Sequence, residues 1–356
     1  MPDRPQWTPP EADPDPSPQT DQAASPRRPV RRPLSIDEYV QGVRAGDRAV
    51  LARAITLIES NAPSHFETAQ EVLRLLLPWT GQSIRVGVTG VPGAGKSTLI
   101  ETLGINLVDH SHRVAVLAID PTSTVTGGSI LGDKTRMEQL SRHPAAFIRP
   151  SPTGGVLGGV ARKTRETMLI CEAAGFDVIL IETVGTGQNE ITVRSMVDFF
   201  MLVLITGAGD ELQGIKKGVM EIADAIVINK ADGDNQIKAQ AARTEYNRAL
   251  HYLAPATSGW QTRAYTASAL TGDGIPEIWD VIRQFHATTT ASGVFSACRR
   301  QQTRSWLRAV IDEQLQHYFY DHPTVKATLP QVEDAVMNSD LPVMVAAQQL
   351  LELMQK

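Results

Sequence analysis

Gly90-Val91-Pro92-Gly93-Ala94-Gly95-Lys96-Ser97 has the spacing Gly-x-x-x-x-Gly-Lys-Ser, and Asn229-Lys230-Ala231-Asp232 follows it downstream. Glycines at the first spacing let backbone N–H groups close around phosphate oxygens. Lys96 would reach the β- and γ-phosphates, and the Ser97 hydroxyl is a hard oxygen donor suited to Mg²⁺. Thr98 completes the expected phosphate-contacting run. In the second motif the Asp232 carboxylate can accept from the ring N–H and amino group of guanine, which adenine does not offer in that arrangement. The Lys230 stem would lie across the base, and a backbone N–H near Ser268-Ala269 could meet guanine O6. The expected ligands are GTP or GDP with Mg²⁺, and the expected chemistry is GTP hydrolysis.

Such groups work only if the chain positions them. Ile84–Val88 is a β-branched run that predicts a buried strand, and Ser97–Val108 repeats Leu99, Ile100, Leu103 and Leu107 at helical spacing. A strand, a glycine-rich turn and a helix thus follow in the order that phosphate binding demands. Further strands are predicted at Val114–Ile119, Val178–Ile181, Met201–Ile205, Ala225–Ile228 and Ala264–Thr266, with amphipathic helices between most of them. This alternation predicts an α/β fold with a mostly parallel sheet covered on both faces. Asn229 follows directly on a predicted strand, where such sheets bind ligands.

Three segments between the motifs carry further candidates. Asp120 ends the second strand, and Asp133 lies in a glycine-rich stretch beyond it; each could approach Mg²⁺, or Asp133 could instead cap a helix. Glu182-Thr183-Val184-Gly185 stands where GTPases usually carry Asp-x-x-Gly, with the Gly185 N–H facing the γ-phosphate. Glutamate is one methylene longer than aspartate, so a water-mediated metal contact is expected. Thr186 replaces the glutamine that orients the attacking water in Ras-like enzymes, and Gln188 comes two residues later, so slow intrinsic hydrolysis raised by a partner is expected. Gly207–Lys217 is either a further functional loop or plain surface, and Gly154–Gly159 either a lid or a helix-opening turn.

Composition sets the bounds. A chain of 356 residues with net charge −5 shows no basic stripe, so nucleic acid is not expected as a partner. The longest apolar run, Phe199–Ile205, is too short for a bilayer, and Cys171 and Cys298 make neither a disulfide framework nor a metal cluster. A cytoplasmic protein is expected. Residues 1–34 hold ten of the 22 prolines and balance five arginines against five acids, the composition of a disordered tail. Capping boxes at Ser35–Glu38 and Ser64–Glu67, with Asp47 between them, predict a helical region over 35–80 that packs on a nucleotide domain over 81–290. Helices at Val294–Tyr320 and Leu341–Met354 make 291–356 a C-terminal appendage, whose apolar surface suggests a homodimer.

The stretches VGVTGVPGAGKSTLIETLG, AIDPTST, TGGSILGDKTRM, GGVARKTRETMLICEAAGFDVILIETVGTGQNE and GAGDELQGIKKGVMEIADAIVINKAD together resemble the MeaB/ArgK family, which includes the methylmalonic aciduria type A proteins. The resemblance spans roughly residues 35–356. It implies a SIMIBI-class P-loop GTPase that acts as a chaperone for an adenosylcobalamin-dependent acyl-CoA mutase, usually methylmalonyl-CoA mutase, gating cofactor delivery and protecting the mutase. Carried over by position, Lys96 binds phosphate; Ser97, Asp120, Asp133 and Glu182 shape the Mg²⁺ and γ-phosphate site; Asp232 selects guanine. Gly207–Lys217 corresponds to the family's third switch, and the C-terminal helices to its dimer interface. Residues 122–126, in the separate segment that follows Asp120, depart from the commoner serine/proline/phenylalanine version found there in the family.

Other readings compete. A nickel-insertion GTPase would bring Cys/His ligands that are lacking here. A kinase of basic-amino-acid transport would need a catalytic base that no motif supplies. A nucleotide-binding module without turnover would tolerate loss of Glu182 or Asp133. Isobutyryl-, ethylmalonyl- or hydroxyisobutyryl-CoA mutase could replace the default client. No Asp-x-His-x-x-Gly segment occurs, so cobalamin is expected to stay on the mutase.

Overall fold

A computed structural model describes residues 32–120, 137–152, 157–183, 190–206 and 217–355. Seven strands form one sheet: β1 (Ile84–Gly90), β2 (Val114–Asp120), β3 (Ala146–Pro152), β4 (Val178–Thr183), β5 (Phe199–Leu204), β6 (Ala225–Ile228) and β7 (Arg263–Thr266). Their order is β3-β2-β4-β1-β5-β6-β7, and every pairing is parallel. The expected mostly parallel sheet is thus wholly parallel. All side chains of β4 and β5 are buried, as strands covered on both faces must be. The edge strand β3 was absent from the sequence expectation, because Pro150 and Pro152 interrupt it; an edge tolerates prolines that a central ladder would not.

Helix α4 (Lys96–Asp109) lays Leu99, Ile100, Leu103 and Leu107 on one face of the sheet. Beside it, α10 (Ile275–Ala291) inserts Ile278, Trp279, Ile282 and Phe285. Phe285 meets Phe199 and Trp260 edge-on at 5.1 and 5.2 Å. Each such apolar side chain contributes about 1.5–3 kcal/mol on burial, so these two helices fix the sheet face under the phosphate loop. Shorter helices follow: α5 (Glu138–Arg142), α7 (Glu190–Arg194) and α8 (Lys217–Glu221), with the longer α6 (Leu157–Ala173) and α9 (Gln236–Leu250).

Helices α1 (Ile36–Arg44), α2 (Arg48–Glu59) and α3 (Pro63–Leu76) precede the sheet. Asp47 caps α2 by accepting from Ala49 N and Val50 N at 2.8 and 3.1 Å, as its sequence position predicts. The capping box at Ser64 does not form. Helix α3 instead starts at Pro63, whose fixed φ and missing N–H suit the first helical position. The three helices bury Leu51, Ile55, Val72 and Leu76 and dock on α6. Gln70 donates to Glu166 (3.1 Å), Lys163 to Asn61 (2.6 Å), and Arg149 pairs with Glu59.

The C-terminal helices are α11 (Val294–Tyr320), α12 (Pro323–Met337) and α13 (Val343–Glu352). Helix α12, with Pro330 inside it, was not separately expected. Helix α11 runs 27 residues without one fully buried side chain. Leu307, Ile311, Leu315 and Tyr318 on α11, with Met344 and Leu351 on α13, are exposed. Among the described residues, no helix is long and apolar enough to cross a membrane.

Opposite the phosphate loop, the buried Glu172 carboxylate ties several elements together. Glu172 accepts from Arg85 (2.9 and 3.0 Å), Ser83 Oγ (2.5 Å) and Gly81 N (2.7 Å). Burial alone would raise this carboxyl, but the hydrogen bonds and charge of Arg85, with Ser83 and Gly81, hold it below the ordinary carboxylate value. A lowered folded-state pKa gives stability that is full above the unfolded value and is lost as pH falls through the folded one. Glu172→Gln should therefore cost about 2 kcal/mol at neutral pH, the scale of hydrogen bonds to a charged group. Urea unfolding of both proteins should show that difference shrinking as pH drops below the ordinary carboxylate value of 4.5. A difference independent of pH would refute the assignment.

Candidate functional site

The phosphate loop leaves the carboxyl end of β1, at the centre of the sheet, and enters α4. Two of its glycines answer to geometry. A Cβ on Gly90 would stand 2.0 Å from the Val203 carbonyl oxygen of β5, so no side chain fits. Gly95 holds φ at 81° as the N-cap of α4, and a Cβ there would meet Asn229 Nδ2 at 2.7 Å. Pro92, Gly93 and Thr98 are exposed, Val91 and Ser97 half-buried, and Ala94 buried. The Lys96 ammonium donates to the carbonyls of Gly90 (2.9 Å) and Val91 (3.2 Å), which keeps it folded over the loop. The loop thus presents backbone N–H groups, a lysine and the positive end of a helix to one small volume, an arrangement matched to phosphate.

Register brings the next candidate in. Val88 of β1 pairs with Glu182 of β4, so the carboxylate emerges beside the start of α4. Ser97 Oγ donates to Glu182 Oε1 at 2.6 Å, and Glu182 is buried. One residue on, Thr183 Oγ1 donates to Thr89 Oγ1 at 2.8 Å between two fully buried hydroxyls. No motif flags this threonine pair; only the strand register reveals it. Asp120 ends β2 at the same edge of the sheet, since Ile119 pairs with Thr183. Asp133, Gly185, Thr186, Gln188, residues 122–126 and residues 207–216 lie outside the described residues.

Asn229-Lys230-Ala231-Asp232 follows β6 directly, Asn229 N donating to Leu204 O at 2.8 Å. The Asn229 carboxamide then spans two loops. Its Nδ2 donates to Ala94 O at 2.8 Å, and its Oδ1 accepts from Ala269 N at 3.1 Å. Lys230 takes a left-handed φ of 58°, and its carbonyl accepts from Asn235 Nδ2 at 2.7 Å. Its Cε lies 3.9 Å from the position a Gly95 Cβ would take, so the stem runs along the phosphate loop. Asp232 Oδ2 accepts from Ser268 Oγ at 2.5 Å, and Thr102 Oγ1 of α4 donates to Ala269 O at 2.7 Å. The chain therefore converges Lys96, Ser97 and Glu182 at one end of a crevice and Asn229, Lys230, Asp232, Ser268 and Ala269 at the other. Thr102 is a further member that sequence spacing did not single out.

A parallel sheet with a glycine-rich Gly-x-x-x-x-Gly-Lys-Ser loop at its central strand and an Asn-Lys-x-Asp motif two strands away is the arrangement of a P-loop GTPase. The chain matches the family described as Methylmalonyl Co-A mutase-associated GTPase MeaB over residues 51–324, and it belongs to that family. A putative GTPase of Caulobacter vibrioides is 54% identical over 318 residues, covering 89% of this chain and 97% of that one. The mouse protein described as methylmalonic aciduria type A homolog, mitochondrial, is 44% identical, covering 89% of this chain and 79% of its own length. A solved structure described as a LAO/AO transport system kinase superposes with a TM-score of 0.74 at 40% identity. It covers 92% of this chain and 100% of its own.

Asn229→Ala would leave Ala269 N and the Ala94 carbonyl without their shared partner. The expected outcome is a loss of about tenfold to hundredfold in GDP affinity, the range of one or two lost hydrogen bonds in a buried site. Titration with a fluorescent GDP analogue measures it; an unchanged affinity would show that the two loops hold their places without the clamp.

Proposed function

We propose that this GTPase is a chaperone that gates adenosylcobalamin delivery to an adenosylcobalamin-dependent acyl-CoA mutase, and protects that mutase, with methylmalonyl-CoA mutase as the first client to test. The observation that carries the reading is membership of a family described by its association with that mutase. The mouse relative's link to methylmalonic aciduria supports it. Isobutyryl-CoA mutase and its relatives are the alternative clients.

In this reading the backbone of Gly90–Ser97, with Lys96 and Thr98, holds the phosphates. Asp232 selects guanine, Lys230 covers the base, and the Ala269 N–H with Ser268 completes the base site. Asn229 keeps base and phosphate sites at a fixed spacing. The donors present fit Mg²⁺: the Ser97 hydroxyl and the Glu182 carboxylate are hard oxygens already 2.6 Å apart. Asp120 and Asp133 would complete the set. The metal would neutralise charge on the β- and γ-phosphates. Gly185 would report the γ-phosphate.

No glutamine follows Gly185 directly, so intrinsic turnover is slow and the client or the dimer raises it. The exposed apolar side chains of α11 and α13 support a homodimer built on those helices. Two free cysteines, one of them fully buried, suit a reducing cytoplasm.

Steady-state GTP hydrolysis, alone and with a saturating adenosylcobalamin-dependent mutase, tests the reading. A rise of tenfold or more (roughly the low end of partner-stimulated GTPases) with GTP and none with ATP is expected. An unchanged rate with no complex by size exclusion excludes that mutase as client. Transfer of the γ-phosphate to a transport protein would instead favour a kinase, the activity for which the solved relative is named.

A further inference from the structure

The turn from α7 into β5 is held from outside the sheet by an arginine that, among the described residues, has no carboxylate partner. Arg165 of α6 is 9% exposed. Its Nη2 donates to Ser195 O at 2.8 Å and to Ser195 Oγ at 2.7 Å. Ser195 sits at the carboxyl end of α7, where a cation also meets the negative end of the helix. The same guanidinium reaches Gln302 O of α11 at 3.4 Å and lies 5.5 Å from the Trp306 ring. Among the described residues no acid pairs with it, and its Nε has no acceptor. Burial and the nearby Arg85 pull its pKa down to about 10, so it stays charged at neutral pH.

The rest of that turn is bonded to the same helix. Gln302 Nε2 donates to Val197 O at 2.8 Å. Arg299 forks onto Asp198 with two bonds of 2.7 Å, and it also donates to the carbonyls of Gly81 and Ser83. Val197 and Asp198 are therefore fastened directly to α11, and Ser195 indirectly through Arg165. Among the described residues, α7 is the next helix along the chain after β4, which ends in Glu182 and Thr183 beneath the phosphate loop.

We propose that Arg165 is a positioning residue for GTP hydrolysis, which fixes the carboxyl end of α7 against α11 and so makes α11 respond to the state of the nucleotide. A buried cation bonded, among the described residues, to carbonyls, a hydroxyl and a ring face suits this role. Those acceptors are neutral and individually modest, so they exchange more readily than an ion pair would. Asp198–Arg299 supplies the fixed pivot, and Arg165 the adjustable contact. The inference rests on GTP hydrolysis alone and is independent of which client the protein serves.

The test is Arg165→Met in the full chain. GDP affinity should be retained, because the phosphate and guanine loops are untouched. The value of kcat should fall about tenfold with KM unchanged, the pattern of an interaction used in the transition state. Hydrogen–deuterium exchange over residues 299–306, compared between GDP and a non-hydrolysable GTP analogue, should differ in the unaltered protein and become equal in the variant. Equal exchange in the unaltered protein, or a difference that survives in the variant, overturns the proposal; so does an unchanged kcat. If Arg165→Met does not fold, Gln302→Leu decides. It removes only the bond to Val197 O, and should lower kcat a few-fold and reduce the exchange difference. A Gln302→Leu protein that matches the parent in both readouts overturns the proposal equally.

Discussion

One carboxamide sets the distance on which this nucleotide site depends. Asn229 donates to the phosphate loop at Ala94 O and accepts from the base loop at Ala269 N. A guanine nucleotide is long relative to a side chain, so its two ends must be met by loops held at one spacing. Two surface loops could not keep that spacing by themselves. Here they are crosslinked through a buried residue whose own N–H is fixed to β5 at Leu204 O. The close approach of Gly90 to Val203 O anchors the other loop to that same strand. Both loops are thus referred to β5, whose side chains are all buried. Rigidity at the site comes from the sheet, and the loops inherit it.

Much of this was legible in the residues. The elements around the two motifs were legible because each depends on local order: β1, a turn and α4 around Lys96 and Ser97, and the end of β6 before Asn229 and Asp232. Helix α11 was legible end to end, since glycine and the helix's own spacing bound it. The failures share a cause. Strand β3 and helix α12 carry Pro150, Pro152 and Pro330, and proline normally argues against an element interior. An edge position excuses the first two, and that position is a property of the whole sheet. Ser64 matched a capping pattern, but Pro63 one residue earlier was the better first residue of the helix. The Thr89–Thr183 pair and Thr102 were invisible for a similar reason. Their partners lie 94 and 167 residues away, and only register and packing bring them together.

The two ends of the sheet are built on different principles. At the carboxyl ends, the polar groups face one another across short hydrogen bonds such as Ser97–Glu182, and their donors and acceptors suit a ligand. At the amino ends, Glu172 and Asp198 are each enclosed by an arginine and by backbone groups. A buried ion pair of that kind adds little net stability over an apolar pair of equal volume, but breaking it is costly. Its effect is to specify which elements meet. Arg85, Glu172, Asp198 and Arg299 tie β1, α6, the start of β5 and α11 into one arrangement, and they lie at the end of the sheet opposite the crevice.

That arrangement explains how a helix with no fully buried side chain can still be ordered against the domain. Apolar burial usually fixes a helix over its length, and α11 lacks it while exposing Leu307, Ile311 and Leu315. Its attachment instead lies within its amino-terminal half, through Arg299, Gln302 and the ring of Trp306. A helix pinned at one end by polar groups can change its angle at smaller free-energy cost than one seated in a core, because few apolar contacts must be broken. The pinned end touches the turn that follows α7, and the free length carries the apolar surface. A small movement at the first would therefore be carried along a rigid helix to the second, with the nucleotide site and the exposed surface joined by a lever and not by a continuous core.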